Sequence, residues 1–83
     1  MYYLYILKGS SKPSFYIGFT SDLKKRVQEH NQESNTSTRK GVPWSLVYYE
    51  AFLTESKARD REKKLKQRGR AWQELKRRFE DSA

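Results

Sequence analysis

Tyr2-Tyr3-Leu4-Tyr5-Ile6-Leu7, then Lys8-Gly9-Ser10-Ser11-Lys12-Pro13-Ser14, then Phe15-Tyr16-Ile17-Gly18-Phe19-Thr20: residues 2–20 are two aromatic and branched runs on either side of a Gly, Ser and Pro connection. Runs of this composition bounded by such punctuation read as strands. A parallel pairing would need a crossover of roughly a dozen residues or more, so the seven-residue connection predicts an antiparallel hairpin. Alternation then sets Tyr3, Tyr5 and Leu7 on one face and Tyr2, Leu4 and Ile6 on the other, while Tyr16, Gly18 and Thr20 share a face of the second strand. Tyr5 and Tyr16 stand eleven positions apart, each inside its run.

Working outward, Thr20-Ser21-Asp22 supplies N-cap side chains for a helix over Leu23 to Asn31, a stretch without proline. Residues 32–43 are polar and read as a loop carrying Arg39-Lys40-Gly41. Trp44-Ser45-Leu46-Val47-Tyr48-Tyr49-Glu50-Ala51-Phe52 is a third strand candidate. Thr54 can cap a second helix running to about Gln67, where Gly69 allows a stop or bend. Arg70 to Glu80 then repeats an amphipathic pattern with Trp72, Leu75 and Phe79 on one side. The expected class is α/β of the α+β type: a three-stranded antiparallel sheet flanked by helices, in the order β-β-α-β-α-α. At 83 residues and 10.0 kDa the chain is expected to be a single domain over residues 1–83. A domain this small buries only about 60% of the surface its unfolded chain exposes.

Charge is distributed unevenly. The formal net charge is +8. Between Lys57 and Arg78 there are eleven Lys or Arg against three Asp or Glu, leaving seven of each sign elsewhere. The stretch from Lys57 to Arg78, within a basic helical region of about residues 55–80, carries the whole imbalance. A solvated helix surface would look like this, and so would a surface for nucleic-acid phosphates. Lys40, Lys63, Lys64, Lys66, Arg68 and Arg70 are the expected nucleic-acid contacts, with DNA the foremost partner. There is no cysteine, so no disulfide framework or thiolate metal site exists. No apolar stretch approaches the roughly 20 residues that span a bilayer, and the expected location is the cytoplasm.

Helical phase places polar groups where apolar ones are expected. At about 100° per residue, Leu23, Arg26, Val27 and His30 fall within one arc of roughly 100°, with Lys24, Lys25, Gln28 and Glu29 on the other side. Arg26 could be a snorkelling side chain and His30 a satisfied boundary histidine. On the second helix Glu62 shares its stripe with Ala58, Leu65 and Gly69. A carboxylate facing a core is costly unless a cation or metal satisfies it, and Arg61, Lys63 and Lys66 are near enough in sequence to do so as a structural ion pair. Taken together, two tyrosines, an arginine, a histidine and an acid suit phosphodiester hydrolysis. A carboxylate can hold a divalent Lewis acid, arginine can meet charge on phosphoryl oxygens, and tyrosine or histidine can orient or deprotonate water. The single histidine forbids a multi-histidine metal site, and the glycines form no phosphate-binding loop.

These residues resemble the GIY-YIG nuclease superfamily, most of all its small stand-alone bacterial members. Tyr3-Leu4-Tyr5 matches the first motif, Tyr16-Ile17-Gly18 the second, Arg26 the arginine eight residues after that glycine, and His30 the histidine or tyrosine one turn later. Glu62 matches the metal-binding glutamate. The resemblance covers about residues 2–68. It departs from the family in having Tyr3 where the first motif has glycine, and no asparagine after Asn35.

The resemblance implies an endonuclease that uses one Mg²⁺ or Mn²⁺ held by Glu62, with Arg26 stabilising phosphate, Tyr5 or Tyr16 activating water and His30 assisting. It implies a role in DNA repair and a Gly18 that keeps the floor of the site open to nucleic acid. The alternative is a nucleic-acid-binding module on the same scaffold with little or no catalysis. A basic helix that docks an acidic protein is a further reading of the charge, and a homodimer is a further expected partner.

Overall fold

The computed structural model describes residues 1–10, 14–32 and 43–80. Strands β1 (Tyr2–Gly9) and β2 (Phe15–Thr20) precede helix α1 (Leu23–Asn31), followed by β3 (Trp44–Phe52), α2 (Glu55–Lys66) and α3 (Arg70–Lys76). The sheet order is β2-β1-β3, antiparallel throughout. The element order and the class read from the sequence both hold.

Central position explains the composition of β1. Leu4, Tyr5, Ile6 and Leu7 are consecutive and each at most 1% exposed, because both faces of the strand are covered. Leu4 and Ile6 pack with Ile17, Leu65, Trp72 and Leu75, so α2 and α3 lie on one face. Tyr5 and Leu7 pack with Trp44, Tyr16, Leu23 and Val27, so α1 lies on the other. A register shift opposite Ile6 and Leu7 leaves Val47 as an extra residue on β3.

Local chemistry fixes the ends of the helices. The Asp22 carboxylate accepts from the Lys25 backbone N–H at 3.1 Å and starts α1. The Thr54 hydroxyl accepts from the Lys57 N–H at 3.3 Å and starts α2. At the far end of α1 the Asn31 side chain imitates a strand partner. Its amide donates to the Trp44 carbonyl at 3.0 Å and its carbonyl accepts from the Trp44 N–H at 2.5 Å. This pair ties the end of α1 to the first residue of β3.

The α2–α3 junction departs from the expectation for Gly69. Arg68, not Gly69, takes the left-handed conformation, at φ 58°. Gly69 has φ −89° and stands at the N-cap of α3. A non-glycine residue in this region costs on the order of 1–3 kcal/mol. Two contacts hold Arg68 there: its guanidinium carbon lies 4.5 Å over the Trp72 ring, and Nη2 donates to the Phe15 carbonyl at 3.4 Å.

Candidate active site

The site begins with a pairing across two strands. Tyr5 faces Gly18 in register. A Cβ at Gly18 would lie 2.6 Å from the Tyr5 hydroxyl oxygen, 2.8 Å from its Cζ and 3.1 Å from Tyr16 Cε1. The Tyr5 ring therefore lies across the backbone of Gly18, in the volume any other residue would fill. The space above Gly18, expected to stay open for nucleic acid, is occupied by Tyr5. Tyr16 stacks against Tyr5 at a centroid distance of 6.2 Å, and the His30 ring closes on Tyr16 at 4.6 Å.

The Tyr5 hydroxyl is buried between two nitrogens, His30 Nε2 at 3.0 Å and Arg26 Nε at 3.3 Å. An arginine N–H can only donate, so the tyrosine oxygen accepts from Arg26. Its own proton is then satisfied by donation to His30 Nε2, which assigns the histidine as the neutral Nδ1–H tautomer. Charge states agree with this assignment. Burial pushes the Tyr5 phenol up to about 12 against the partial counter-effect of the Arg26 hydrogen bond. Burial, then the Arg26 charge, hold His30 below its ordinary value. Tyr5 and His30 form a neutral pair at physiological pH, beneath a guanidinium that stays charged.

Arg26 is fixed at two points. Besides Tyr5, its Nη1 donates to Glu29 Oε1 at 3.1 Å, one turn along α1. Nη2 has no hydrogen-bond partner among the described residues, and the side chain is 34% exposed. Arg26 borders an open hollow of ≈ 320 Å³ with Thr20, Ser21, Asp22, Lys25 and Glu29. Glu29, which helical phase assigns to the water side, is thus the residue that anchors the arginine. Its signal in the sequence was the i, i+3 spacing from Arg26.

Glu62 stands on α2 between buried Ala58 and Leu65, one turn from each, and its side chain is 18% exposed. It does not point freely into solvent. Its Oε2 pairs with Lys66 Nζ at 3.1 Å, and the same ammonium lies 6.0 Å from the centre of the Tyr16 ring. Lys66 thereby links Glu62 to the tyrosine wall, and the Glu62 charge is close enough to raise the Tyr5 phenol. Arg61, a candidate partner for Glu62, forks instead onto Glu50 at 2.8 and 3.0 Å, where the Tyr48 hydroxyl also donates at 2.6 Å.

The donor set decides what cation could sit here. Among the described residues no three of His, Cys, Asp and Glu cluster as a metal cage. Magnesium keeps several waters and commonly takes one or two carboxylates with substrate phosphates supplying the rest. Glu62, with Oε1 uncommitted among the described residues, fits that pattern as a single hard oxygen ligand.

The basic residues separate. Lys63 and Lys64 are exposed on α2, Arg70 pairs with Glu74 at 3.1 Å, Arg68 lies on Trp72, and Lys66 belongs to the Glu62 pair. Lys40 lies outside the described residues.

His30 makes a pH prediction that a chain with one histidine can test cleanly. The unfolded chain binds the imidazole proton near 6.5 and the folded chain only at lower pH, so as pH falls the unfolded state is protonated first. The stability contributed by neutral His30 is complete above 6.5 and is lost as pH falls toward the folded value. The urea midpoint should decline across that window in the parent, and His30→Gln should lack that component. An equal decline in both would place the titration elsewhere.

The sheet carries an arginine held over a tyrosine–histidine pair and two stacked tyrosines, with a partly buried carboxylate linked to them through Lys66. Residues 1–78 match the GIY-YIG catalytic domain, and the chain belongs to that family. It is 42% identical to a UPF0213 protein of Haloquadratum walsbyi over 66 residues, 78% of this chain and 73% of the relative. A UPF0213 protein of Streptococcus pyogenes is 39% identical over 74 residues, 88% of this chain and 79% of the relative. One from Halobacterium salinarum is 36% identical over 75 residues, 89% and 96% of the two chains. No solved structure gives a significant match. Family membership implies nucleic acid as the substrate class. Among the described residues no helix is long and apolar enough to cross a membrane.

Proposed function

We propose that the protein is a single-domain, metal-dependent endonuclease that hydrolyses phosphodiester bonds in DNA, selecting structure rather than sequence, in the cytoplasm and in the service of DNA repair. The observation that carries this reading is the arrangement at Arg26. Tyr5 and Glu29 hold its Nε and Nη1, and Nη2 is left for a phosphoryl oxygen.

In this mechanism Arg26 binds the scissile phosphate and meets the charge that grows on its oxygens during attack. Tyr16, half-buried and without a hydrogen bond on its hydroxyl among the described residues, orients the attacking water. Tyr5 acts as a positioning residue rather than the base, because its buried hydroxyl accepts from Arg26 and is hydrogen-bonded to His30. Tyr5 and His30 are positioning residues that set the plane of the guanidinium. A divalent cation on Glu62, Mg²⁺ or Mn²⁺, supplies Lewis-acid stabilisation of the phosphate and leaving oxygen when bound. Lys66 holds the other carboxylate oxygen and leaves Oε1 for that ligand.

The Glu62–Lys66 pair also supports the alternative of a binding module without turnover, because it satisfies the carboxylate without a metal. Incubating the purified protein with branched, single-stranded and duplex DNA, with Mg²⁺ or Mn²⁺ and with a chelator, separates the two. The enzyme reading expects cation-dependent product, greatest on the branched substrate. Binding without product on every substrate would establish the module instead.

A further inference from the structure

We propose that Lys8, Arg68 and Lys76 form a second phosphate site, which grips the backbone of the nucleic acid on the opposite face of the sheet from Arg26. The proposal rests on the reading of the protein as one that handles nucleic acid. The three cations border a cavity of ≈ 420 Å³ with Ser14, Phe15 and Glu80, so positive charge exceeds negative by two around it.

The strained backbone at Arg68 is the strongest sign that this cluster is built. A left-handed φ of 58° falls on an arginine although a glycine follows directly. A chain turn alone would be served at least as well by glycine at position 68, and strain of this kind points to a purpose for the side chain. That side chain is oriented in advance by the Trp72 face and the Phe15 carbonyl. Its remaining N–H groups have no partner among the described residues, which suits a flat fork presented to phosphate oxygens.

The two lysines complete the site. Lys8 pairs in register with Phe15, is exposed and has no ion pair among the described residues. Lys76 Nζ lies 5.8 Å from the Phe15 ring centre and 3.2 Å from Glu80. A surface pair of that i, i+4 kind is weak, so an incoming phosphate can displace the carboxylate.

Position connects this cavity with the candidate active site. Phe15, in its wall, precedes Tyr16 on β2, and adjacent strand residues face opposite sides of the sheet. Lys66 lies over Tyr16, and Arg68 follows two residues later. A strand leaving the Tyr16 side meets Lys66 at the edge of β2, then Arg68, Lys76 and Lys8 beyond it. The occupant is therefore a backbone phosphate of the bound substrate rather than a separate ligand.

The test is fluorescence anisotropy on labelled branched DNA in chelator, across a range of salt, so that no cleavage occurs. Lys8→Gln, Lys76→Gln and Arg68→Gly should each lower the log–log salt slope by about one. Lys24→Gln, on the outward side of α1, should leave it unchanged. Arg68→Gly should melt no lower than the parent, because glycine relieves the backbone at that position. Unchanged slopes in the three variants would overturn the site. So would an equal fall with Lys24→Gln, which would make the effect one of net charge. A lower melting temperature for Arg68→Gly with an unaltered slope would assign the arginine to packing and overturn its part. Because these readings need no turnover, failure here leaves cation-dependent cleavage untouched, and absence of cleavage leaves the slopes readable.

Discussion

Arg26→Ala should lower single-turnover cleavage by about 10²–10³, the loss seen when a donor aimed at developing transition-state charge is removed. DNA affinity should fall by no more than the loss of one phosphate contact, about one unit of log–log salt slope, because one guanidinium is a small part of a surface with net charge +8. The split between rate and affinity is the informative part. In the ground state Arg26 is one cation among many, whereas in the transition state it alone is held by Tyr5 and Glu29 with an edge to spare. The variant should stay folded, since the buried Tyr5 oxygen keeps its bond to His30 and loses only a donor. A rate within a factor of about three of the parent would remove Arg26 from the chemistry.

Gly18→Ala should damage the site through a single methyl group. The added carbon would stand 2.6 Å from the Tyr5 hydroxyl oxygen. That oxygen ends a side chain that is only 1% exposed, so it has no free volume in which to move. The ring must tilt, and its hydroxyl then leaves His30 Nε2, Arg26 Nε or both. Overpacking of this kind costs roughly 1–3 kcal/mol, and loss of the buried Tyr5–His30 hydrogen bond adds about 1 kcal/mol. Urea unfolding should show that loss, and cleavage should fall with it. The substitution distinguishes two roles for the glycine. If Gly18 merely kept space for DNA, alanine would weaken binding and leave stability alone.

Much of this arrangement was legible before the fold was known, for identifiable reasons. Alternation in Tyr2 to Leu7 assigns Tyr5 and Leu4 to opposite faces, and β1 obeys it because both faces are packed. Helical phase groups Arg26 and His30 with Leu23 and Val27, and those are the side chains α1 turns toward the sheet. Glu62 shows itself by sharing a stripe with Ala58 and Leu65. In each case a period of the chain meets a core on one side.

Other features depend on distances that no period encodes. That Tyr5 fills the volume above Gly18 follows from the β1–β2 register. The i, i+3 spacing puts Glu29 within reach of Arg26, but helical phase does not say that a side chain whose Cα faces away returns across the turn. Arg68 takes the conformation expected of Gly69 because Trp72 and the Phe15 carbonyl are there to hold it. Lys66, read as a phosphate contact and as a candidate ion-pair partner of Glu62, pairs with Glu62 and also reaches the Tyr16 ring. Each depends on tertiary contact between elements distant in sequence or on side-chain reach.

The central claim is that phosphodiester hydrolysis takes place at Arg26, with Tyr16 orienting water and Glu62 supplying the cation ligand. Single-turnover cleavage of a labelled branched DNA by the parent and by Glu62→Ala, over a titration of Mg²⁺ and then Mn²⁺, tests it most directly. The account predicts saturable, cation-dependent product from the parent and none from Glu62→Ala, with both proteins binding the DNA alike in chelator. Product formed equally by the two proteins, or by neither, would contradict it.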